Sequence, residues 1–172
     1  LTTLGNGTFS VTATATDPAG NSTTDSTSNE LTIDSTVPIV TVNSLTTKDK
    51  TPPLTGTVNE TDATILVSVS GQTRFGTNNG NGTWTLADGS LSTLADGTYN
   101  VAVTATDPIG NIGTDGTTNE LIIDSVAPVV TVTSLITKDT RPPLSGTVSD
   151  LSSPVTVNVN GISYTATNNG NG

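Results

Sequence analysis

Leu94-Ala-Asp-Gly-Thr-Tyr-Asn-Val-Ala-Val-Thr-Ala-Thr-Asp-Pro108 decides how this chain folds. Val101 and Val103 alternate with small residues after Tyr99, the two-residue period of a strand with one buried face. Asp-Gly ahead of the run and Asp-Pro behind it are turn residues, and Pro cannot donate to a ladder. The same segment stands earlier as Leu4-Gly-Asn-Gly-Thr-Phe9 followed by Ser-Val-Thr-Ala-Thr-Ala-Thr-Asp-Pro18, at an offset of 90 residues. Pro38-Ile-Val-Thr-Val-Asn-Ser-Leu-Thr-Thr-Lys-Asp49 returns as Pro128-Val-Val-Thr-Val-Thr-Ser-Leu-Ile-Thr-Lys-Asp139 at the same offset. Residues 1–82 lie on 91–172 without a gap, with 46 identities in 82 positions. The chain is therefore a repeat with a period of about 90 residues.

Working outward from that strand, Thr, Val and Ile alternate between Gly, Asn, Asp and Pro clusters, and helix signals are absent. Seven strands are expected in one period: 39–43, 54–58, 65–70, 73–77, 83–87, 99–106 and 120–123. The alternation sends Val40, Val42, Val67, Val69, Val101, Val103, Trp84 and Leu86 into a core and leaves Thr or Ser outside. Seven short antiparallel strands in about 90 residues describe an all-β, immunoglobulin-like sandwich. Tyr99 stands where such sandwiches place a tyrosine corner, its phenol bonding backbone a few residues upstream; the alternative is that it only fills core. The earlier copy has Phe9 there and lacks the hydroxyl. Neither an inter-sheet cystine nor a Trp on the third strand is present, in contrast to antibody domains.

Ile33-Asp-Ser-Thr-Val-Pro38 and Ile123-Asp-Ser-Val-Ala-Pro128 read as linkers, because a strand ends at Asp and Pro blocks further pairing. The expected organisation is the last part of one repeat over 1–35, a complete repeat over 36–126, and the first part of a third over 127–172.

Composition narrows the chemistry. The 172 residues hold 38 Thr, 17 Gly and 9 Pro, 15 acidic against 5 basic side chains, and no Cys, His or Met. There is no thiol nucleophile, imidazole base, disulfide or zinc site of the usual ligands. A net charge of −10 argues against nucleic acid, since few cations exist to displace counterions from phosphate. No apolar run approaches the ~18 residues of a membrane span, and the first residues lack the features of a signal peptide. An enzyme is disfavoured, as no nucleophile–base pair or convergent carboxylate pair can be argued. A small sandwich with few large apolar side chains has a thin core, which leaves room for another stabiliser.

The acids supply one. Alternate loops of a sandwich share an end, so Asp34, Glu60, Asp62, Asp107, Asn111 and Asp115 are expected together at the end nearest the 34–38 linker. Asp49, Asp88, Asp96 and Asp124 are expected at the far end, facing Asp150 of the next repeat. Ca2+ takes six to eight oxygens from Asp, Glu, Asn and carbonyls on irregular loops, which this arrangement offers. Asp107-Pro-Ile-Gly-Asn111 and its copy Asp17-Pro-Ala-Gly-Asn21 place such oxygens around a turn. The same residue types also make ordinary polar turns, and Lys48, Lys50, Lys138 and Arg141 near Asp49 and Asp139 offer ion pairing instead.

These motifs, with Asn-Gly-Thr-Trp84-Thr-Leu, Pro-Pro-Leu-Ser-Gly-Thr-Val148 and Glu-Leu-Ile-Ile-Asp124-Ser-Val-Ala-Pro, run through the whole chain. In that order they resemble the bacterial immunoglobulin-like repeats of giant RTX adhesins. The resemblance implies a non-enzymatic extender between a membrane anchor and distal binding domains. It also implies type I secretion to the bacterial surface, a role in attachment and biofilms, and Ca2+ stiffening the junctions between neighbouring repeats. It places junction ligands on Asp34, Asp124, Asp107 and Asn111, with Asp17 and Asn21 as their earlier counterparts; Glu60 and Asp62 join the expected metal ligands from the loop placement alone.

A rod of repeats in contact only with neighbours would gain roughly 35–45 Å per unit. Two rival functions are weaker. A sugar- or protein-binding module usually needs an exposed aromatic platform, but Trp84 reads as core, and Phe75 and Tyr164 do not recur between copies. An ice-binding face is suggested by Thr12-Ala-Thr-Ala-Thr16, yet it needs short regular coils rather than a 90-residue repeat. Finally, the two partial repeats carry complementary strands. If both are ordered, they are expected to complete each other between molecules, head to tail.

Overall fold

The computed structural model describes residues 2–172. It is all β, and no helix among the described residues is long and apolar enough to cross a membrane. The chain divides into two compact units, residues 1–125 and 126–172.

The first unit opens with β1 (Gly7–Phe9), β2 (Thr14–Thr16), β3 (Ser22–Thr24) and β4 (Leu31–Ile33). It continues with β5 (Val40–Val42), β6 (Leu45–Thr47), β7 (Leu54–Val58), β8 (Thr64–Val69) and β9 (Gln72–Asn78). It closes with β10 (Thr83–Leu86), β11 (Gly97–Tyr99), β12 (Val101–Thr106), β13 (Ile112–Thr114) and β14 (Leu121–Ile123). All seven expected strands are present, and the count rises to ten for physical reasons. The 99–106 strand breaks at Asn100 into β11 and β12, while β6 and β13 are additional.

A seven-stranded sheet runs β13-β12-β8-β9-β10-β7-β5, and a three-stranded one runs β11-β14-β6. The chain from β5 to β6 changes partners: β5 pairs antiparallel with β7, whereas β6 pairs parallel with β14. That ladder, the single parallel one among the described residues, departs from the all-antiparallel expectation. The long sheet curls until β13 approaches β5. There a Cβ at Gly113 would overlap the Pro38 carbonyl, so only glycine allows the approach.

The core contains the set the alternation selected and adds Leu54, Val58, Ile65, Leu121 and Ile123, which that set did not name. Val40, Val67, Val69, Val101, Val103, Trp84 and Leu86 are buried, and Val42 packs against them partly covered. Trp84 is fully buried opposite Gly56, and its indole N–H donates to the Thr41 carbonyl at 2.8 Å. A Cβ at Gly56 would strike both the indole and that carbonyl, so the large and small residues specify each other. Outward threonines pair across strands, as in Thr41–Thr57 at 2.7 Å, which gives the abundant Thr a structural use. The Tyr99 phenol donates to the Ala95 carbonyl at 2.9 Å, which makes it a tyrosine corner.

The second unit holds β15 (Val130–Val132), β16 (Gly146–Val148), β17 (Val155–Val159) and β18 (Ile162–Ala166). Its pairings reproduce those of the first at the 90-residue offset, with Val130 opposite Val148 as Val40 is opposite Val58. Its core face differs in cover: Val130 is 61% exposed and Val40 4%.

Candidate metal centre

Asp107 follows β12 and its carboxylate organises the next turn. Oδ1 accepts the backbone N–H groups of Ile109, Gly110 and Asn111 at 2.9, 2.6 and 2.8 Å. Oδ2 accepts the Asn111 amide at 2.7 Å. Gly110 sits at φ +104°, a conformation the turn needs and glycine tolerates. The Asn111 side chain also donates to the Asp34 carbonyl at 3.0 Å, tying the turn to the linker 77 residues away in sequence. Asn78 donates to the carbonyls of Glu60 and Ala63 at 2.8 and 2.9 Å, which anchors the 59–63 loop.

The other carboxylates at this end act on Glu60. Burial first, then the charges of Asp107, Asp34 and Asp62, push the Glu60 carboxyl above its ordinary value. Asp107 goes the other way: the Asn111 amide holds it down, burial opposes, and the three turn N–H groups add to the lowering. Asp34, Glu60, Asp62, Asp107 and Asn111 are thus brought to one end of the complete repeat.

The remaining predicted ligands lie elsewhere. Asp17 and Asn21 form the same turn between β2 and β3, with bonds of 2.8 Å from the Asn21 amide and backbone N–H, and Asp17 is held low chiefly by Asn21. Asp124 follows β14, where its N–H donates to the Thr47 carbonyl at 2.9 Å. Asp115 caps its own turn through the Thr117 hydroxyl and N–H.

The kind of donor suits calcium, since every candidate offers oxygen and the cluster is rich in carboxylate. Among the described residues, however, no three acidic side chains already stand grouped to grip one ion. Asn111 turns its NH2 toward Asp107 and Asp34, and must present its carbonyl oxygen to serve as a ligand.

Two arrangements escaped the sequence reading. At the far end Lys50 pairs with Asp96 at 3.3 Å, not with Asp49, which instead accepts the Thr51 N–H. Asp96 also accepts the Ser125 N–H and hydroxyl at 3.1 and 2.8 Å, and so clamps the start of the next linker. Asn6 holds Ser35 in the same way, at 3.1 and 2.7 Å. The second is Glu120, which is buried. Its Oε2 accepts the Val101 N–H exposed by the break at Asn100, as Glu30 accepts that of Val11. The recurring Asn-Glu-Leu at 29–31 and 119–121 was the available signal.

The sequence model of the bacterial Ig-like domain matches residues 41–125, and that of the bacterial Ig-like domain (group 3) matches residues 1–68. No curated protein matches the sequence. A solved structure of a Ca2+-stabilized adhesin that helps an Antarctic bacterium reach out and bind ice is similar at 25% identity and a TM-score of 0.41. The similarity covers 90% of this chain and 44% of that one, so the chain spans less than half of that relative's length.

Proposed function

We propose that these bacterial Ig-like repeats are a non-enzymatic extender of a secreted RTX-type surface adhesin, stiffened by Ca2+ at the junction between repeats. The matches to bacterial Ig-like domains support the adhesion-related role and the extracellular location. The observation that carries the calcium reading is that Asn111 binds both the Asp34 carbonyl and the Asp107 carboxylate, joining linker to turn, while Asp107, Asp34 and Asp62 all act on the Glu60 carboxyl and help burial to raise it. A divalent cation relieves that repulsion and joins the linker to the loops of the following repeat. Asp34, Glu60, Asp62 and Asp107 would hold it, with Asn111 once its amide turns; Asp17 with Asn21, and Asp124, are the corresponding positions at the neighbouring junctions. Type I secretion, projection of distal binding domains and service in attachment and biofilms complete the reading.

The test is thermal unfolding with small-angle scattering on the 172-residue chain, in Ca2+ and then in EGTA. An ion that binds only the folded state stabilises by about 2.7 kcal/mol at a hundred times its Kd. We expect a raised Tm and a longer maximum dimension in millimolar Ca2+, both abolished by Glu60→Gln with Asp107→Asn. Unchanged values in the native chain at that concentration would leave the acids as solvated turn residues and the array as a flexible tether.

A further inference from the structure

Residues 2–125 contain three Asn-Gly steps, at 6–7, 79–80 and 81–82, and the fold treats them differently. We propose that Asn81 is a self-acting covalent modification site, its side-chain amide lost through attack by the backbone nitrogen of Gly82. Asn81 lies in the exposed loop between β9 and β10, and its Oδ1 accepts the Thr83 hydroxyl at 2.6 Å and the Thr83 N–H at 3.2 Å. Two donors on a carbonyl oxygen polarise its carbon and stabilise the oxyanion that forms on attack. The nucleophile is unencumbered: Gly82 has open space around its α-carbon, and among the described residues its N–H meets no acceptor. Among the described residues the Asn81 NH2 likewise donates to no acceptor.

The other two steps are held back. The Gly80 N–H is engaged by Asn78 Oδ1 at 3.1 Å, and the Asn79 amide by Thr83 Oγ1 at 2.9 Å. Asn6 donates its amide to Asp34 and Thr36, and Gly7 is fixed in β1 opposite Ile33.

The chemistry balances with water alone. Gly82 N gives its proton to solvent base and bonds to Asn81 Cγ; the Cγ–Nδ2 bond breaks, and Nδ2 leaves as ammonia with a proton from solvent. Water then opens the resulting succinimide at either carbonyl, leaving aspartate or isoaspartate. Either product adds one negative charge to a loop already tied to the 58–60 segment, since Gly82 O accepts the Val58 N–H at 3.1 Å and Asn78 donates to Glu60 O. An aged chain is therefore more acidic beside Glu60 and Asp62 than a new one.

The experiment is incubation of the 172-residue chain at mildly alkaline pH, below its Tm, with peptide-mapping mass spectrometry. Loss of the amide at Asn81 should outpace that at Asn6 by about tenfold or more, with Asn79 between, because alignment of the reacting atoms governs such rates. Urea should bring the three rates together, and Thr83→Val should slow Asn81 severalfold in the folded chain only. Equal rates at Asn81 and Asn6 in the folded chain, or an order that urea leaves unchanged, would overturn the assignment.

Discussion

Trp84 shows how much one side chain does in a thin core. Its ring fills the space left by Gly56 and its N–H donates to a backbone carbonyl, so truncation removes packing and a hydrogen bond together. Trp84→Ala should cost about 3–5 kcal/mol, a large part of the stability of a small domain. Tyr99→Phe should cost about 1 kcal/mol, the net worth of the bond to Ala95. Denaturant melts of the two variants test both figures. Equal effects would mean that Trp84 is not the centre of the core. Phe9 at the matching position of the earlier copy shows that a repeat can be built without that hydroxyl.

At the scale of the element, strand ends are held by carboxylates accepting N–H groups. Asp96 lies below the ordinary 3.8 chiefly through the Ser125 hydroxyl, and Asp107 through the Asn111 amide. Burial works against the charge of Glu120, yet the Val101 N–H keeps it below 4.5. A depressed carboxyl binds protons less well folded than unfolded, so its contribution is full above the unfolded pKa and lost as pH falls through the folded one. The Tm in EGTA should therefore hold near neutrality and drop between about pH 4.5 and 3. Asp96→Asn keeps the kind of linker clamp that Asn6 provides, so it should remain folded with a shallower drop. A drop as steep as that of the native chain would remove Asp96 from the account. The clamp needs no metal, which separates its stiffening from that of the proposed calcium site.

On the scale of the whole molecule, valines at both ends that match core positions of the 36–126 stretch are uncovered. Val130 and Val132 are 61% and 65% exposed, and Val11 is 49% exposed where Val101 is 1%. The proposed partner of the 126–172 unit is the 1–34 segment of a second copy, which carries the counterparts of β11 to β14. Such a contact is heterologous and does not close, so sedimentation should show association growing with concentration and no limiting dimer. A monomer at every concentration would refute it, and Val130→Asp with Val132→Asp should weaken association without touching the complete repeat.

The sequence by itself determined the period, the all-β class, the seven strands and the inward faces, while the bond to Ala95 decided that Tyr99 makes a tyrosine corner. All of these are local or repeat at a fixed offset, because alternation and turn chemistry are written in neighbouring residues. It also expected Asp34, Glu60, Asp62, Asp107, Asn111 and Asp115 at one end, since loop order follows from strand order, but the Asp115 N–H instead donates to the Val103 carbonyl, along β12 from Asp107. Only the tertiary structure decided what depends on distant partners. The break at Asn100 exists because Glu120 reaches back to Val101, and β6 leaves β5 because β14 offers it a parallel ladder. Lys50 chooses Asp96 over its sequence neighbour Asp49, whose carboxylate faces its own turn. Which side-chain oxygen meets which distant N–H is set by how the curled sheet brings its edges together, and local pattern carries no record of that distance.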